Sequence, residues 1–350
     1  MDNELLSSNT NLKFNESELF MKYKPSYKLA CIDLSIHSFN LFISFYLLWF
    51  FKNSCLSVFT IPLLAFMLNR TFIIFHDCCH NSYTPSKQLN YVISHITGAL
   101  VTTSPNWILD HHTHHKTNGN IENEQHYFFN ETIILTKKQF LANNDKEKLF
   151  YNIYKNPLVF FTIVPMVYFG IIQRFIYIIK KYKHPYSFEQ SLFMVTCDHV
   201  INNILSCLYL YTIFNFGIMS HFLYVFILAN SISFMVFHNQ HSYNPSYVVE
   251  NNKWTQRDSG LVGSSFIQIP SLLKYFYMGI EYHHIHHMNA KIPGYNLQKY
   301  HEEVIKRSDI FKNIVTLNMY DCYNNLWLVL YDEDNKRYIT FKELESNKNL

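Results

Sequence analysis

Ten of the 19 histidines in the 350-residue chain fall into three short clusters. The first is His76-Asp-Cys-Cys-His80, the second His111-His112-Thr-His114-His115 and the third His283-His284-Ile-His286-His287. On a helix of 3.6 residues per turn, positions i, i+3 and i+4 share a face. His76 and His80 therefore share one face, His111, His114 and His115 a second, and His283, His286 and His287 a third. His112 and His284 point about 100° away from those faces, toward outer contacts or solvent. Eight histidines able to converge are a metal-binding pattern, because neutral imidazole suits iron, copper and zinc. Eight exceed the coordination of one first-row ion, so two metals are implied.

Other readings of these residues are weaker. Adjacent Cys78 and Cys79 have poor geometry for chelating one zinc ion. A carboxylate-bridged di-iron bundle needs two Glu-x-x-His motifs, and Glu281-x-x-His284 is a single match. The isolated His37, His95, His199 and His221 read as packing residues.

The elements that must carry the clusters are apolar. Charged residues make up only 16% of the chain and aromatic residues 17%, which excludes a disordered chain. A net charge of +3 gives no argument for nucleic-acid binding, and the scattered cysteines do not suggest a secreted disulfide scaffold. Apolar runs occur at Phe39–Phe51 (extended by Leu34–Ser38), Cys55–Phe75, Pro157–Ile172, Ser191–Phe216 and Gly217–Phe237. A span needs about 20 such residues. The polar start carries no cleavable signal, so the first run inserts as an anchor. Lys13, Lys22, Lys24 and Lys28 precede that run, and Arg174, Lys180, Lys181 and Lys183 precede the run at Ser191. Basic flanks stay in the cytosol, so both termini and the middle loop are placed there. Pro157–Gln173 then cannot cross, and it reads as an interfacial or re-entrant helix. Tyr91–Pro105 reads the same way.

The expected fold is an all-α integral membrane protein, with four transmembrane helices in two hairpins and a cytosolic helical cap holding a di-metal site. Residues 1–30 form a cytosolic N-terminal arm. Residues 31–240 form the transmembrane region, whose cytosolic loop 76–190 carries the first two clusters. Residues 241–350 form a cytosolic region carrying the third. His76 follows the second span and His238 follows the last, on the same side. His238 is therefore a candidate ninth ligand.

At these residues the chain resembles the membrane fatty acid desaturases, from about Arg70 to Tyr300. His76-Asp-Cys-Cys-His80 followed by Asn81-Ser82 resembles that family's first histidine box. Trp107-x3-His111-x2-His114-His115 resembles the second. Tyr282-His283-His284-Ile-His286-His287, followed by Ile292-Pro293-Gly294-Tyr295-Asn296-Leu297, resembles the third. Trp254, Asp258 and Gly263-Ser264-Ser265 are similar to the segment before that box in Δ12 (omega-6) acyl-lipid desaturases. The resemblance implies the metal ligands His76, His80, His111, His114, His115, His283, His286 and His287, with His238 as the extra histidine after the fourth span. It also implies two iron ions, O2, an external electron donor (cytochrome b5 or ferredoxin) and an acyl-lipid or acyl-CoA substrate. In a eukaryotic-type host the membrane would be the endoplasmic reticulum. The chain departs from the Δ12 pattern at Phe237-His238-Asn239-Gln240-His241, where His241 is a rival to His238. It departs again at Gly279, where the family often has asparagine.

Removing hydrogen from unactivated methylenes demands an oxidant stronger than any side chain, so a metal must supply it. Ligand rings need acceptors that orient them, and Asp77, Asp110 and Asp258 are candidates. Arg70 is expected to snorkel to the interface or to anchor a lipid head group. Lys180, Lys181 and Lys183 could meet anionic lipid or an acidic donor. Two further functions compete with desaturation. One is hydroxylase, conjugase or acetylenase chemistry on the same scaffold, and the other is a non-enzymatic membrane metal-binding protein or transporter.

Overall fold

The computed structural model describes residues 15–122, 134–176, 179 and 191–346. Lys13, Lys180, Lys181 and Lys183 lie outside the described residues. The helices, in chain order, are α1 (Glu16–Tyr23), α2 (Tyr27–Phe51), α3 (Ser57–Cys79), α4 (Lys87–Leu100), α5 (Trp107–Thr117), α6 (Lys137–Ala142), α7 (Asp145–Tyr154) and α8 (Val164–Gly170). They continue with α9 (Leu192–Asn215), α10 (Met219–His241), α11 (Gln256–Leu261), α12 (Lys274–Tyr277), α13 (His283–Met288), α14 (Gly294–Arg307), α15 (Met319–Asn325) and α16 (Phe341–Ser346). Among the described residues α2, α3, α9 and α10 are long and apolar enough to cross a membrane.

The four spans are not equivalent. In its most apolar stretch α3 is 61% buried, against 22% for α2. On α2, Ile32, Ile36, Phe39, Phe42 and Phe50 are exposed, as expected of a helix apolar on every side and facing lipid. On α3, Leu64, Met67 and Leu68 are buried against Leu41 and Leu48 of α2 and Phe222 and Val225 of α10. The third span, α9, is mostly lipid-facing, with Val200, Ile204, Leu208 and Tyr211 exposed. The central helix α3 is thus the spine of the bundle.

Two hairpins arise from short turns. Ser54 N donates to the Phe51 carbonyl at 2.9 Å between α2 and α3, and Gly217, at φ +66°, closes the turn between α9 and α10. Lys52 Nζ donates to the Phe216 carbonyl at 2.7 Å, so both turns meet at one end of the bundle. The opposite ends of α3 and α10 carry His76, His80, His238 and His241.

Arg70 does not take the interfacial position expected of it. It is buried and pairs with Asp33 of α2. Its guanidinium also donates to the Tyr275 carbonyl and stacks over the Tyr275 ring at 4.3 Å. Tyr83 Oη donates to the second Asp33 carboxylate oxygen at 2.8 Å. A charge this far inside is retained because a carboxylate of opposite sign faces it. Nearby His37 bonds Thr71 at 3.0 Å, and His95 lies 3.4 Å from Asp198. Arg174 donates to Asn202 and Asn203 of α9 at 3.1 and 3.0 Å.

The segment from Asp145 to Arg174 bends by 65° between Tyr154 and Val159, and a π-helical turn (Val159–Ile163) precedes α8. Pro157 sits at the bend, where its missing N–H and its restriction of the preceding residue interrupt a helix. Its exposed apolar residues, Leu149, Phe150, Ile153 and Leu158, suit an interfacial position. The 14 residues of α4 rise about 21 Å, too few for a hydrocarbon core of about 30 Å.

The polar cap adds short strands that the all-α expectation did not include. β1 (Leu135–Thr136) pairs parallel with β4 (Leu330–Asp332), which pairs antiparallel with β5 (Arg337–Ile339). β2 (Phe266–Ile267) pairs parallel with β3 (Thr316–Leu317). They tie the C-terminal region to segments far away in the sequence. At the N-terminal end, Asn15 caps α1, and Tyr23 Oη donates to Glu303 of α14 at 2.5 Å.

Removing one partner of a buried ion pair strands the other charge. Asp33→Ala should cost about 3 kcal/mol, read as a lower unfolding temperature in detergent. Adding Arg70→Met should recover part of that loss, because no buried charge is then left without its partner.

Candidate metal centre

The first cluster sits at the C-terminal end of α3, the second occupies α5 and the third occupies α13. Trp107 opens α5 and stacks on His111 (centroids 4.3 Å, interplanar 20°), while Phe72 of α3 meets its edge at 5.3 Å. That packing sets α5 beside α3. The third cluster is brought in by a close backbone approach. Gly279 has φ +87°, and a Cβ there would lie 2.3 Å from the Gly294 carbonyl oxygen. A side chain at this position would meet the Gly294 backbone.

Two groups of imidazole nitrogens result. His76, His80, His111 and His286 offer ring nitrogens within 4.8 Å of one another, and His114, His241, His283 and His287 do the same; all eight residues are buried. His115 stands between the groups. Its Nε2 lies 3.0 Å from His111 Nε2 and 2.9 Å from His286 Nε2, and its ring stacks on His287 at 4.2 Å. In the first group His76 Nε2 is 3.0 Å from His111 Nε2. In the second, His241 Nε2 is 3.0 Å from both His114 Nε2 and His283 Nε2.

The donor set fits a pair of cations. His241 Nδ1 donates to the Gly263 carbonyl at 3.1 Å, and His76 Nδ1 lies 3.2 Å from Asp77 Oδ1. These acceptors hold the proton on Nδ1 and leave the Nε2 lone pairs facing inward. Burial, reinforced by the neighbouring imidazoles, holds His80, His111, His115, His283, His286 and His287 well below their ordinary pKa. They are neutral at pH 7, the form that binds metal. His80 Nε2 is buried without a hydrogen bond. Inward lone pairs at these separations match ligands about 2.0–2.1 Å from a shared ion.

His238 and His241 exchange the positions expected of them. His238 Nε2 is 2.9 Å from the Asn325 carbonyl, and its ring packs on Phe161 at 5.3 Å. It therefore faces the bent segment and α15, outside both groups. His241, three residues on, lies inside the second group. The other eight expected ligands converge.

The carboxylates divide similarly. Asp77 does orient a ring, and its Oδ2 accepts from Gly294 N at 2.6 Å, linking the first cluster to the segment after the third. Asp258 instead closes the N-terminal turn of α11, with its N–H on Thr255 Oγ1 at 3.0 Å and Thr255 Oγ1 donating back to its carboxylate at 2.7 Å. Asp110 is half-buried in the first turn of α5, where an acidic residue suits the helix dipole. His112 is exposed, whereas His284 is buried and pairs with His301 at 3.2 Å.

A cavity of about 60 Å³ opens on His76, His111 and His283 and runs between α3 and α10 past Phe72, Phe169 and Phe234. At its far end Ser233 Oγ donates to Asn69 Oδ1 at 2.9 Å. A smaller cavity of about 20 Å³ continues beyond this pair toward Phe226 and Ala229. Sequence reasoning did not single out Asn69 or Ser233, although each is a polar residue inside an apolar run.

A family model described as "Fatty acid desaturase" matches residues 53–311. The chain is 31% identical to a fatty acid desaturase of Bacillus subtilis (strain 168) over 333 residues, covering 92% of this chain and 88% of that one. Shorter matches include an sn-1 acyl-lipid omega-3 desaturase (ferredoxin) of a Nostoc species, 36% identical over 58 residues (16% of each chain). Another is an omega-3 fatty acid desaturase of the endoplasmic reticulum from Nicotiana tabacum, 38% identical over 55 residues (15% of this chain, 14% of that one). With three histidine clusters closing on one buried centre and the match running through all of them, the chain belongs to the fatty acid desaturase family.

Proposed function

We propose that the protein introduces a double bond into a membrane-embedded acyl chain, consuming O2 at a histidine-held pair of iron ions, and that it is of the Δ12 (omega-6) acyl-lipid type. The observation that carries this reading is the pairing of two buried all-imidazole groups with an aromatic-walled cavity entering the span bundle. The Δ12 assignment is supported by Trp254, Asp258 and Gly263-Ser264-Ser265 before the third cluster. The omega-3 names of the locally similar relatives supply the rival regiochemistry.

Iron bound there would supply the oxidising power, drawing on O2 and on two electrons from an outside donor, cytochrome b5 or ferredoxin. The protein's own residues do the positioning. His241, in place of His238, completes the second ligand group, with its tautomer held by the Gly263 carbonyl. Asp77 holds His76. Phe72, Phe169 and Phe234 exclude water from the cavity and leave a slot for methylenes. Selectivity among chemically identical methylenes then comes from placement alone. A transporter would carry ionisable groups at mid-membrane to pass its cargo. Here Arg70 is locked to Asp33, and Arg174 is held by Asn202 and Asn203 of α9.

The basic residues Lys22 and Lys24 before α2 and Lys28 in its first turn support cytosolic termini, with the Lys52–Phe216 end of the bundle on the far side. The chain is thus read as a 1–30 arm, a 31–240 membrane region and a 241–350 cytosolic region. In a eukaryotic-type host it would reside in the endoplasmic reticulum.

Expression in a host lacking polyunsaturated lipids, with mass spectrometry locating new double bonds, tests the reading. A new double bond at Δ12 is expected, and it should vanish in His111→Ala, His114→Ala and His283→Ala proteins that still insert into the membrane. Undiminished product in those variants would overturn the site. Metal analysis of purified protein should find His238→Ala close to wild type and His241→Ala depleted by half or more. Ser233→Phe should fill the cavity and abolish product while leaving metal content unchanged.

A further inference from the structure

The histidine centre is buried on nearly every side, but one imidazole beside it is exposed. The His112 ring lies 5.5 Å from the ring of His80, centroid to centroid. His80 belongs to the first ligand group, so His112 lies on a short aromatic route from solvent to that group. The residues around this route are cationic. Lys116 is one helical turn after His112 on α5, on the same face, and is exposed. Lys291, exposed in the link between α13 and α14, donates its Nζ to the His80 carbonyl at 2.5 Å. Lys87, exposed at the start of α4, is close enough that its charge joins partial burial in pushing the Lys291 pKa down. Three cations from three separate segments thus converge where the chain leaves the end of α3. Asp110 precedes His112 by two residues and lies about 200° around the helix, off this face.

We propose that this surface, with His112 at its centre and Lys87, Lys116 and Lys291 around it, is where an acidic one-electron carrier protein docks. The proposal rests on the desaturase reading, in which electrons must enter from outside. The acyl chain gives up two hydrogens with their two electrons. The carrier, oxidised in two one-electron visits, gives up two more. With two protons from solvent, O2 leaves as two waters. A buried centre can accept those electrons only where a carrier approaches it closely, and a cationic rim steers an acidic carrier to that place. The rim charges are exposed, so their attraction is screened by salt.

The test uses the full chain in lipid vesicles, with desaturation supported either by reduced ferredoxin, an acidic one-electron carrier, or by dithionite, which needs no docking surface. Lys87→Glu with Lys116→Glu should raise the KM for ferredoxin about tenfold or more. It should leave kcat near wild type, leave dithionite-supported turnover unchanged and flatten the salt dependence of the ferredoxin reaction. The charge-retaining pair Lys87→Arg with Lys116→Arg should keep the wild-type KM. An unchanged KM for ferredoxin in the glutamate pair would overturn the proposal. So would an equal loss of dithionite-supported turnover, which marks a structural role. A wild type that works with dithionite but not with ferredoxin would overturn the docking surface and leave the desaturase reading standing. A wild type that makes no double bond with either reductant would overturn the desaturase reading itself.

Discussion

Nine imidazoles cannot be packed together on their own merits. Each ring brings a lone pair, and in the second group three Nε2 atoms, from His114, His241 and His283, approach at 3.0 Å. Lone pairs at that distance repel unless a proton or a cation lies between them. Where Nδ1 holds the proton, as on His241 through the Gly263 carbonyl, Nε2 has none to share. The rest of the structure serves this constraint. It buries the rings, turns their bare nitrogens inward and brings three helix ends together firmly enough to hold them.

The spine that does most of this is α3. One helix carries three different environments on different faces and turns. Arg70 is locked to Asp33 on the α2 side, Asn69 faces the cavity and bonds Ser233 of α10, and His76 and His80 close the cytosolic-proposed end. Because α3 is buried by α2, α4 and α10 together, a shift of its end would disturb all three packings. The ligand positions inherit that rigidity. The glycines at 279 and 294 act at the opposite side. A Cβ on Gly279 would lie 2.3 Å from the Gly294 carbonyl oxygen, and one on Gly294 2.5 Å from the Met278 carbonyl oxygen. The two strands of chain around the third cluster can therefore touch, and Gly294 N can reach Asp77.

Much of this was legible in the sequence for reasons of periodicity. The i, i+3, i+4 spacing sorted His111, His114 and His115 from His112, and His283, His286 and His287 from His284, as the geometry has them. The four spans were legible because a 20-residue apolar run has few alternatives. What was not legible depended on partners remote in the chain. His238 and His241 are equally good ligands on paper. The Asn325 carbonyl, 87 residues away, takes the first, and the Gly263 carbonyl orients the second. Arg70 has the sequence context of an interfacial residue, and the Asp33 that holds it inside lies 37 residues earlier. Asp258 is a different case. Thr255-x-x-Asp258 is a local capping pattern, and of the two roles open to this carboxylate, capping and orienting a ligand ring, the local one holds.

The same burial that makes the centre work also isolates it, and the two demands meet at different faces. Toward the membrane, the cavity is lined by Phe72, Phe169 and Phe234 and stays apolar up to the Asn69–Ser233 pair. A methylene chain can therefore enter without carrying water to the histidines. Toward the cap, the clusters are roofed by the link after α13, the short strands β2 and β3 and the helix α11. Ser259 of α11 donates to the Asn118 carbonyl just after α5 at 2.8 Å. A centre of this kind needs an apolar entrance for substrate and a polar approach for charge, and one opening could not serve both. In this fold α3 separates them: its cavity face looks into the bundle, while its C-terminal end, at His80, is where the cap thins toward solvent.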